Sequence, residues 1–349
     1  MTSSRAKDGL VYLEAHTETQ SFEQLKAEWN ELLARSYANS VFTTWEWQTT
    51  WWDAYQPGQL WIITCRNDDG RLLGIAPWFI QEHPQLGRVV RTVGCVEVTD
   101  YLDVIIDRDC ITLVLDALAN YLVEQRDKFD VIDLCNLPES SPTPEMFPIY
   151  LQQHGFQVQV EQQEVCPIIK LPNSFEEYIA SLGKKYRHEL RRKIRRAEGN
   201  AQIDWYIVGP EHDLEAELNR FTDMMASSDP AKAEFLQDEQ NMAFFKAMAR
   251  VMLDAGWLQL NFLTVNGEPA AAYLNFDYGN RILVYNSGLY PEEFGHLSPG
   301  IVLLARNIRH AIEQGREEFD FLRGNEVYKY HMGGVDTAVF MLQARYNHN

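Results

Sequence analysis

Residues 257–290 constrain the fold more than any other segment of this 349-residue chain. The segment reads WLQLNFLTVNGEPAAAYLNFDYGNRILVYNSGLY and contains three runs rich in β-branched, aromatic and other apolar residues. Asn-Gly separates the first run from the second, and Tyr-Gly-Asn separates the second from the third. Turns of this composition between apolar runs are typical of tight β-hairpins. The segment therefore predicts three consecutive antiparallel strands.

Strand and helix patterns of the same kind occur in both halves of the chain. In the first half, the runs at 60–67 and 71–81 flank an Asp-Asp-Gly turn and predict a hairpin. In the second half, apolar residues recur at helical spacing between 301 and 311. We expect an α+β fold with mixed, mostly antiparallel sheets flanked by helices. Since a domain typically contains ~150 residues, the chain is long enough for two domains, which we place at 1–164 and 165–349.

The composition excludes several classes of protein. No run of ~18 apolar residues occurs, so we expect no membrane span. The N-terminus lacks the ~7–15 apolar residues of a secretory signal. The five cysteines lie 15 or more residues apart without a Cys-x-x-Cys pair, which indicates neither a zinc ribbon nor a disulfide framework. We therefore expect a reduced, cytoplasmic protein.

Motifs for metal, hydrolase and nucleotide chemistry are missing from the sequence. His188, His310 and His331 show no metal-ligand spacing, and neither HxxxH nor HExxH occurs. The nucleophile motif GxSxG is absent, as are a Walker loop and GxGxxG. We expect no metal and no bound cofactor.

One segment departs sharply from the acidic chain around it. Between Lys184 and Arg196 there are eight Lys or Arg and one Glu, a local charge of +7 in a chain whose formal charge is −19. The acidic remainder argues against DNA as a partner, because phosphates would be repelled. This asymmetry is the strongest compositional signal in the chain.

The basic segment has helical spacing. Tyr186, Leu190, Ile194 and Ala197 form a narrow apolar stripe, which would fix the helix to the protein. Two basic ridges flank the stripe, and arginine is suited to bidentate binding of phosphate or carboxylate. A solvated helix whose charges are balanced by weak ion pairs has the same composition. The ridges are Lys184-Arg187-Arg191-Arg195 and Lys185-Arg192-Arg196.

Four segments in a fixed order resemble a known family. They are SLGKKYRHELRRKIRRAEG, GEPAAAYLNFDYGNRILVYNSGLYPEEF, LSPGIVLLARNIRHAIEQG and FDFLRGNEVYKYHMG. In this order they resemble the C-terminal domain of the GNAT-type acetyltransferase-like family that includes proteins of bacterial cellulose and exopolysaccharide formation. That family is related to the Fem peptidyltransferases. The resemblance covers roughly residues 165–335, and the segments at 40–55 and 99–106 look like the N-terminal half of such proteins.

The resemblance implies two tandem GNAT-like acyltransferase domains. The first domain would be supporting, and the second would bind the donor and catalyse the reaction. The implied activity is direct acyl transfer from acyl-CoA, as co-substrate, to an amine or to a sugar hydroxyl of a small-molecule or glycan acceptor. The donor's phosphates would bind Arg187, Arg191 and Arg195 on the basic helix.

The resemblance also places residues beside the donor. The strand with Tyr285 and Ser287 would lie next to the thioester, although ordinary strand packing explains these residues equally well. GNAT enzymes commonly bind pyrophosphate with an R/Q-x-x-G-x-G/A loop at a helix N-terminus. Here the corresponding segment carries only Ser298, Pro299 and Gly300, and proline has no N–H. The same residues suit a helix N-cap followed by proline at the first helical position.

The polar loop near the C-terminus is the expected catalytic segment. Tyr328 is expected to supply or orient a proton, Lys329 to bind donor oxygens or an oxyanion, and Asp320 to act as the base. Glu326 is a second candidate for the base. An ordinary surface loop with a packed tyrosine has the same composition. The acceptor-side residues of this loop are Gly324, Asn325 and Glu326.

Two other functions stay open. The basic helix suits an aminoacyl-tRNA-dependent transferase of the Fem type, with tRNA as partner, although the acidic remainder opposes a broad tRNA surface. The degenerate pyrophosphate segment suits a non-catalytic binding module of a polysaccharide-secretion assembly.

Overall fold

The computed structural model describes residues 2–6, 9–95 and 98–347. The chain divides into two units. The first unit contains Met1–Glu164 and Thr337–Asn349, and the second contains Val165–Asp336. Each unit is a mostly antiparallel sheet with helices, as the sequence pattern predicts.

Strands and helices alternate along the chain. The strands are β1 (Thr2–Ala6), β2 (Gly9–His16), β3 (Gln59–Asn67), β4 (Leu72–His83), β5 (Gly87–Thr92), β6 (Ile105–Ile106), β7 (Val131–Pro138), β8 (Phe156–Lys170), β9 (Ile203–Ile207), β10 (Leu258–Val265), β11 (Glu268–Tyr278), β12 (Arg281–Leu289), β13 (Glu318–Asp320) and β14 (Val335–Tyr346). The helices are α1 (Ser21–Ala34), α2 (Trp45–Tyr55), α3 (Ile111–Glu124), α4 (Thr143–Gln153), α5 (Phe175–Ser181), α6 (Lys184–Asn200), α7 (Leu214–Ser228), α8 (Pro230–Gln237), α9 (Glu239–Asp254), α10 (Pro291–Phe294), α11 (Pro299–Glu313) and α12 (Val327–His331).

The first unit has the strand order β1-β2-β3-β4-β5-β7-β14, with β6 paired to β4. All of its assigned strand pairs are antiparallel except β5 with β7. Its core contains Trp61, Trp78 and Phe147, which are buried among residues of α3 and α4. The sequence boundary assigns residues 337–349 to the second domain. The structure places them in the first unit, because β14 pairs with β7 from Val339 to Ala344.

The second unit has the strand order β8-β13-β12-β11-β10-β9. The predicted three-strand segment forms β10, β11 and β12, paired antiparallel. Phe319 and Phe321 contact each other, with ring centroids 5.5 Å apart, and lie in the core formed with α5, α6 and α11. On α6, Leu190 and Ala197 are buried, which fixes the basic helix to the core.

Aspartate caps determine where the helices between β9 and β10 begin. Asp213, Asp229 and Asp238 precede α7, α8 and α9, and each carboxylate accepts N–H groups of the following turn. Such caps satisfy donors that have no partner within the helix. Pro230, directly after Asp229, suits the first helical position.

The cysteine expectation needs a correction. Cys95 and Cys135 form a disulfide in the first unit, although they are 40 residues apart in sequence. They meet because Cys95 follows β5, while Cys135 lies in β7, the parallel neighbour of β5. Sequence spacing carries no signal for such a pair. The other three cysteines, Cys65, Cys110 and Cys166, are not part of a disulfide.

Candidate functional site

In the second unit, β12 and β13 pair only over a short distance. Their parallel register runs from Arg281–Glu318 to Leu283–Asp320, after which β13 ends and β12 continues to Leu289. The register between β11 and β12 also shifts at this point, between Leu274 and Asn275 of β11. A bulge of this kind increases the local twist and turns a strand away from its neighbour. We call residues 284–289 the open edge of β12.

The backbone of Ser287 lies on the open edge and is bonded to side chains. Its N–H donates to Asn286 Oδ1 at 2.9 Å, and its carbonyl accepts from Lys232 Nζ at 2.7 Å. Tyr285 packs instead against Phe245 and Phe276. The edge therefore presents backbone groups that side chains, not a strand, satisfy.

Lys232 is a site residue that the sequence analysis missed. It lies on α8 and is half-buried. Burial lowers the pKa of its ammonium, although the carboxylates of Asp229 and Glu326 oppose that change. The sequence signal was weak: one lysine at the third position of a short, proline-initiated helix. Its proximity to Ser287 depends on tertiary packing.

The N-terminus of α11 lies next to the end of β12. Ser298, at the N-cap, has φ of +55°, and its side chain does not cap the helix. Its Oγ accepts instead from Arg196 Nη2 at 2.9 Å, and Arg196 Nε is buried without a hydrogen-bond partner among the described residues. A Cβ placed on Gly300 would meet only Leu289 Cδ2, at 3.5 Å. A guanidinium and a positive helix end thus occur together, which favours an anion.

The predicted phosphate-binding arginines lie elsewhere on α6. Arg191 and Arg195 are exposed, and Arg187 Nη1 donates to the carbonyl of Ala180 at 3.0 Å. Arg196, which belongs to the second ridge, is the arginine that reaches α11. The first ridge remains an exposed basic surface.

Lys329 lies inside the loop that follows β13. Only 2% of the residue is exposed. Its Nζ donates to the carbonyls of Leu322, Arg323 and Gly324 at 3.2, 2.7 and 3.1 Å, and lies 2.9 Å from Glu326 Oε2. An ammonium has three donors, so these partners saturate it. Lys329 therefore has no free N–H group left for the predicted contact with a substrate.

The same loop contains a strained residue. Leu322 has φ of +57°, a region that an apolar side chain rarely adopts. Asp320, which is fully buried, accepts the Leu322 N–H at 2.8 Å. Together Asp320 and Lys329 hold the loop in this conformation. Gly324, with φ of +108°, continues the loop, while Asn325 and Glu326 are exposed.

Tyr328 lines a cavity of about 90 Å³ between α6, α11 and α12. Ile301 from the first turn of α11 and His331 also line it, and His331 stacks on Tyr186 with ring centroids 4.1 Å apart. Burial, followed by the charge of Glu326, raises the pKa of the Tyr328 hydroxyl. Tyr328 is therefore a neutral phenol at physiological pH, a donor of a proton or of a hydrogen bond.

The first unit has a parallel pair of the same kind, but its strands are linked. β5 and β7 pair through Val90 and Ile132. Immediately beyond, Arg91 and Asp133 form an ion pair at 3.2 Å. The Cys95–Cys135 disulfide lies further along the same two chain segments. Between β12 and β13, the paired residues end at Leu283 and Asp320.

Comparisons with known proteins agree with this geometry. Residues 184–330 match the acetyltransferase (GNAT) domain family. The structure is similar to FemX, with a TM-score of 0.64 and 12% identity over 95% of this chain and 96% of that one. It is also similar to L-PGS from Bacillus licheniformis, with a TM-score of 0.54 and 11% identity over 93% and 92% of the two chains. No curated protein matches the chain.

Identities this low show the fold and nothing finer. The chain has the predicted α+β fold, and the domain that matches the GNAT family lies inside the second unit. Among the described residues, no helix is long and apolar enough to cross a membrane.

Proposed function

We propose that this protein is an acyltransferase whose second unit moves an acyl group from acyl-CoA to an amine or hydroxyl acceptor. The observation that carries the proposal is the open edge of β12, which ends at Leu289 beside the N-terminus of α11. A strand edge and a helix N-terminus at one place suit a long donor that contains amides and phosphates.

The donor would bind along both features. The donor would lie along the open edge, and its diphosphate would accept from the Gly300 N–H and from Arg196. Arg196 already donates to Ser298, and its buried Nε supplies a further N–H group. This arrangement replaces the arginines 187, 191 and 195 with Arg196 as the contact for the diphosphate.

The transfer needs a small number of groups. The acceptor's nitrogen or oxygen attacks the thioester carbon, a new C–N or C–O bond forms, and the C–S bond breaks. The neutral phenol of Tyr328 gives its proton to the departing thiolate. Lys329 and Asp320 act by holding the loop that carries Tyr328. The loop residues 324–326 face the acceptor, and a glycan acceptor of an exopolysaccharide pathway remains a prediction from sequence resemblance.

Calorimetric titration with CoA and acetyl-CoA tests donor binding. We expect Arg196→Gln to weaken acetyl-CoA binding by about 10- to 100-fold, the range of one or two lost charge-assisted hydrogen bonds. The matched control is Arg250→Gln, which removes an exposed arginine that lies 3.8 Å from Glu215 in the same unit. Absence of heat for the unaltered protein would refute acyl-CoA as the donor, and equal affinities of the two variants would refute Arg196 as the contact for its diphosphate.

Turnover is measured separately, as release of free thiol from acetyl-CoA in the presence of amine and sugar acceptors. Tyr328→Phe keeps the ring and removes only the hydroxyl. We expect it to lower kcat by about 10²-fold while acetyl-CoA binding is retained.

Aminoacyl-tRNA is a second candidate donor, favoured by one specific observation. The chain has the fold of FemX. In addition, Arg191 and Arg195 form an exposed basic surface, which a donor as small as CoA would not need to contact. A tRNA contact there would depend steeply on salt. In the double variant Arg191→Gln/Arg195→Gln, the slope of log affinity against log salt would fall by about 1–2. Acetyl-CoA binding without any tRNA binding would exclude this candidate.

A further inference from the structure

We propose that Lys232 is the general base of the transfer step, and that it takes the acceptor's proton at the open edge of β12. The inference rests on the proposed acyl transfer and assigns a catalytic role to a residue outside the predicted site. It begins from the position of the amine. Lys232 Nζ lies 2.7 Å from the carbonyl oxygen of Ser287, on the part of β12 that β13 does not cover.

Helix packing fixes that position. The backbone of α7 lies directly on β12, since a Cβ on Gly288 would approach the Met225 nitrogen to 2.4 Å. Helix α8 starts two residues after α7 ends, at the Asp229 cap and Pro230. The short connection and the cap therefore determine where α8 presents Lys232. The lysine reaches the edge because of this close approach, which only a glycine at position 288 allows.

The surroundings of Lys232 lower the pKa of its ammonium. The charged groups that act on it are the Asp229 carboxylate on its own helix and the Glu326 carboxylate on the loop before α12. Asp229 is bonded to the Ala231 N–H, and Glu326 lies 2.9 Å from Lys329 Nζ, so both carboxylates have other partners. Burial outweighs both and lowers the pKa of Lys232. A lysine in this state exists as a neutral amine in a larger fraction near neutral pH than an exposed lysine does.

The other candidate bases are less suited to this step. Asp320 is fully buried and accepts the Leu322 N–H, which makes it part of the loop frame. The Lys329 ammonium is saturated by three carbonyls and Glu326. The raised pKa of Tyr328 keeps its phenol protonated at physiological pH, so that it has no phenolate to act as the base.

The proposed step balances. The neutral amine of Lys232 accepts the proton of the acceptor's N–H or O–H as the new bond to the acyl carbon forms. The electron pair of the broken C–S bond leaves with sulfur, and the thiolate receives the proton of Tyr328. Lys232 then loses its proton to solvent, and Tyr328 regains one from solvent. No oxidant or further co-reactant takes part.

The first test titrates Lys232 directly and needs no substrate. The protein is labelled with trace acetic anhydride over a range of pH, and acetylation of Lys232 is quantified by peptide mass spectrometry. We expect Lys232 to reach half-maximal reactivity at a lower pH than lysine in a short peptide does. Glu326→Gln removes a carboxylate that raises the pKa, and should shift the midpoint further down. A midpoint equal to that of the peptide, or an upward shift in Glu326→Gln, would overturn the proposal.

The second test separates a catalytic role from a structural one. Lys232→Met should lower kcat for acetyl transfer by about 10²–10³-fold with acetyl-CoA binding retained, since general base catalysis typically contributes this much. Lys232→Arg keeps the charge but not the titration, and should be as inactive as the methionine variant. The control Lys246→Met removes an equal charge from a surface pair with Glu215 at 3.2 Å and should leave turnover unchanged.

The two levels of inference fail differently. If the unaltered protein does not bind acetyl-CoA, the proposed function fails, and the titration of Lys232 is still measurable. If acetyl-CoA binds and turns over equally fast in Lys232→Met, the general base is another group.

Discussion

Lys329 Nζ lies 2.7 Å from the carbonyl oxygen of Arg323, and this contact stabilises the loop that follows β13. The neighbouring carbonyls of Leu322 and Gly324 point to the same ammonium. Carbonyls of three consecutive residues converge in this way only because Leu322 adopts a positive φ. The lysine thus stabilises a backbone conformation that the sequence alone disfavours.

Loss of this ammonium should destabilise the second unit. Lys329→Met leaves the three carbonyls buried without a donor, at a cost of about 3 kcal/mol in the free energy of unfolding. Glu326→Gln removes the remaining partner, but its carboxylate is 57% exposed, and that change should cost less than about 1 kcal/mol. Urea unfolding of both variants measures the difference. Equal stabilities would show that Lys329 does not hold the loop.

Two glycines at the site should respond oppositely to alanine. At Gly288 a Cβ would lie 2.4 Å from the Met225 nitrogen, so Gly288→Ala should destabilise the protein by more than about 2 kcal/mol. At Gly300 the only neighbour is Leu289 Cδ2 at 3.5 Å, so Gly300→Ala should be neutral or stabilise by up to about 1 kcal/mol. Thermal unfolding measures both. If phosphates approach the Gly300 N–H, Gly300→Ala should also weaken acetyl-CoA binding.

The buried Asp103 should make stability depend on pH. Burial raises the pKa of its carboxyl to about 6, although the Val104 N–H donates to its Oδ1 at 2.8 Å. Because the carboxyl has a higher pKa in the folded protein than in the unfolded chain, its protonation stabilises the folded state. This stabilisation is complete below the unfolded pKa of about 4, and it is lost as pH rises through the folded pKa of about 6. The loss amounts to roughly 2–3 kcal/mol.

Asp103→Asn removes the titration and keeps an acceptor. Its unfolding free energy should fall less than that of the unaltered protein between pH 4 and pH 6.5, as measured by urea unfolding. Parallel pH profiles would mean that Asp103 is already ionised at pH 4.

Reduction of the Cys95–Cys135 disulfide should weaken the first unit. A disulfide between residues 40 positions apart lowers the conformational entropy of the unfolded chain, which stabilises the folded protein by about 4 kcal/mol. Urea unfolding with and without a thiol reductant measures the change, and a Cys135→Ser variant should match the reduced protein. Equal unfolding free energies with and without the reductant would show that the two cysteines do not form a disulfide in solution.

Local pattern predicted much of the architecture. The Asn-Gly and Tyr-Gly-Asn turns correctly predicted β10, β11 and β12, because hairpin pairing depends on residues close in sequence. Helical spacing correctly predicted α6 and its buried stripe at Leu190 and Ala197. Both signals are local.

The site was harder to predict, because its contacts join distant segments. Lys232 and Ser287 are 55 residues apart, and Arg196 and Ser298 are 102 apart. Nothing in the spacing of the Lys184–Arg196 run distinguishes Arg196 from the ridge at Arg191 and Arg195. Lys329 turned inward because the positive φ of Leu322 creates carbonyl partners for it. No sequence pattern indicates that conformation.

The C-terminal strand has a consequence for how the two units can be separated. Residues 165–336 form an insertion within the first unit, whose chain resumes at Thr337 as β14. A chain cut after Glu164 would not yield two complete domains, since the first piece would lose the strand that pairs with β7 and expose that strand's backbone. The first unit is thus formed by two pieces of sequence that residues 165–336 separate along the chain, and only a chain that keeps both pieces contains all of its strands.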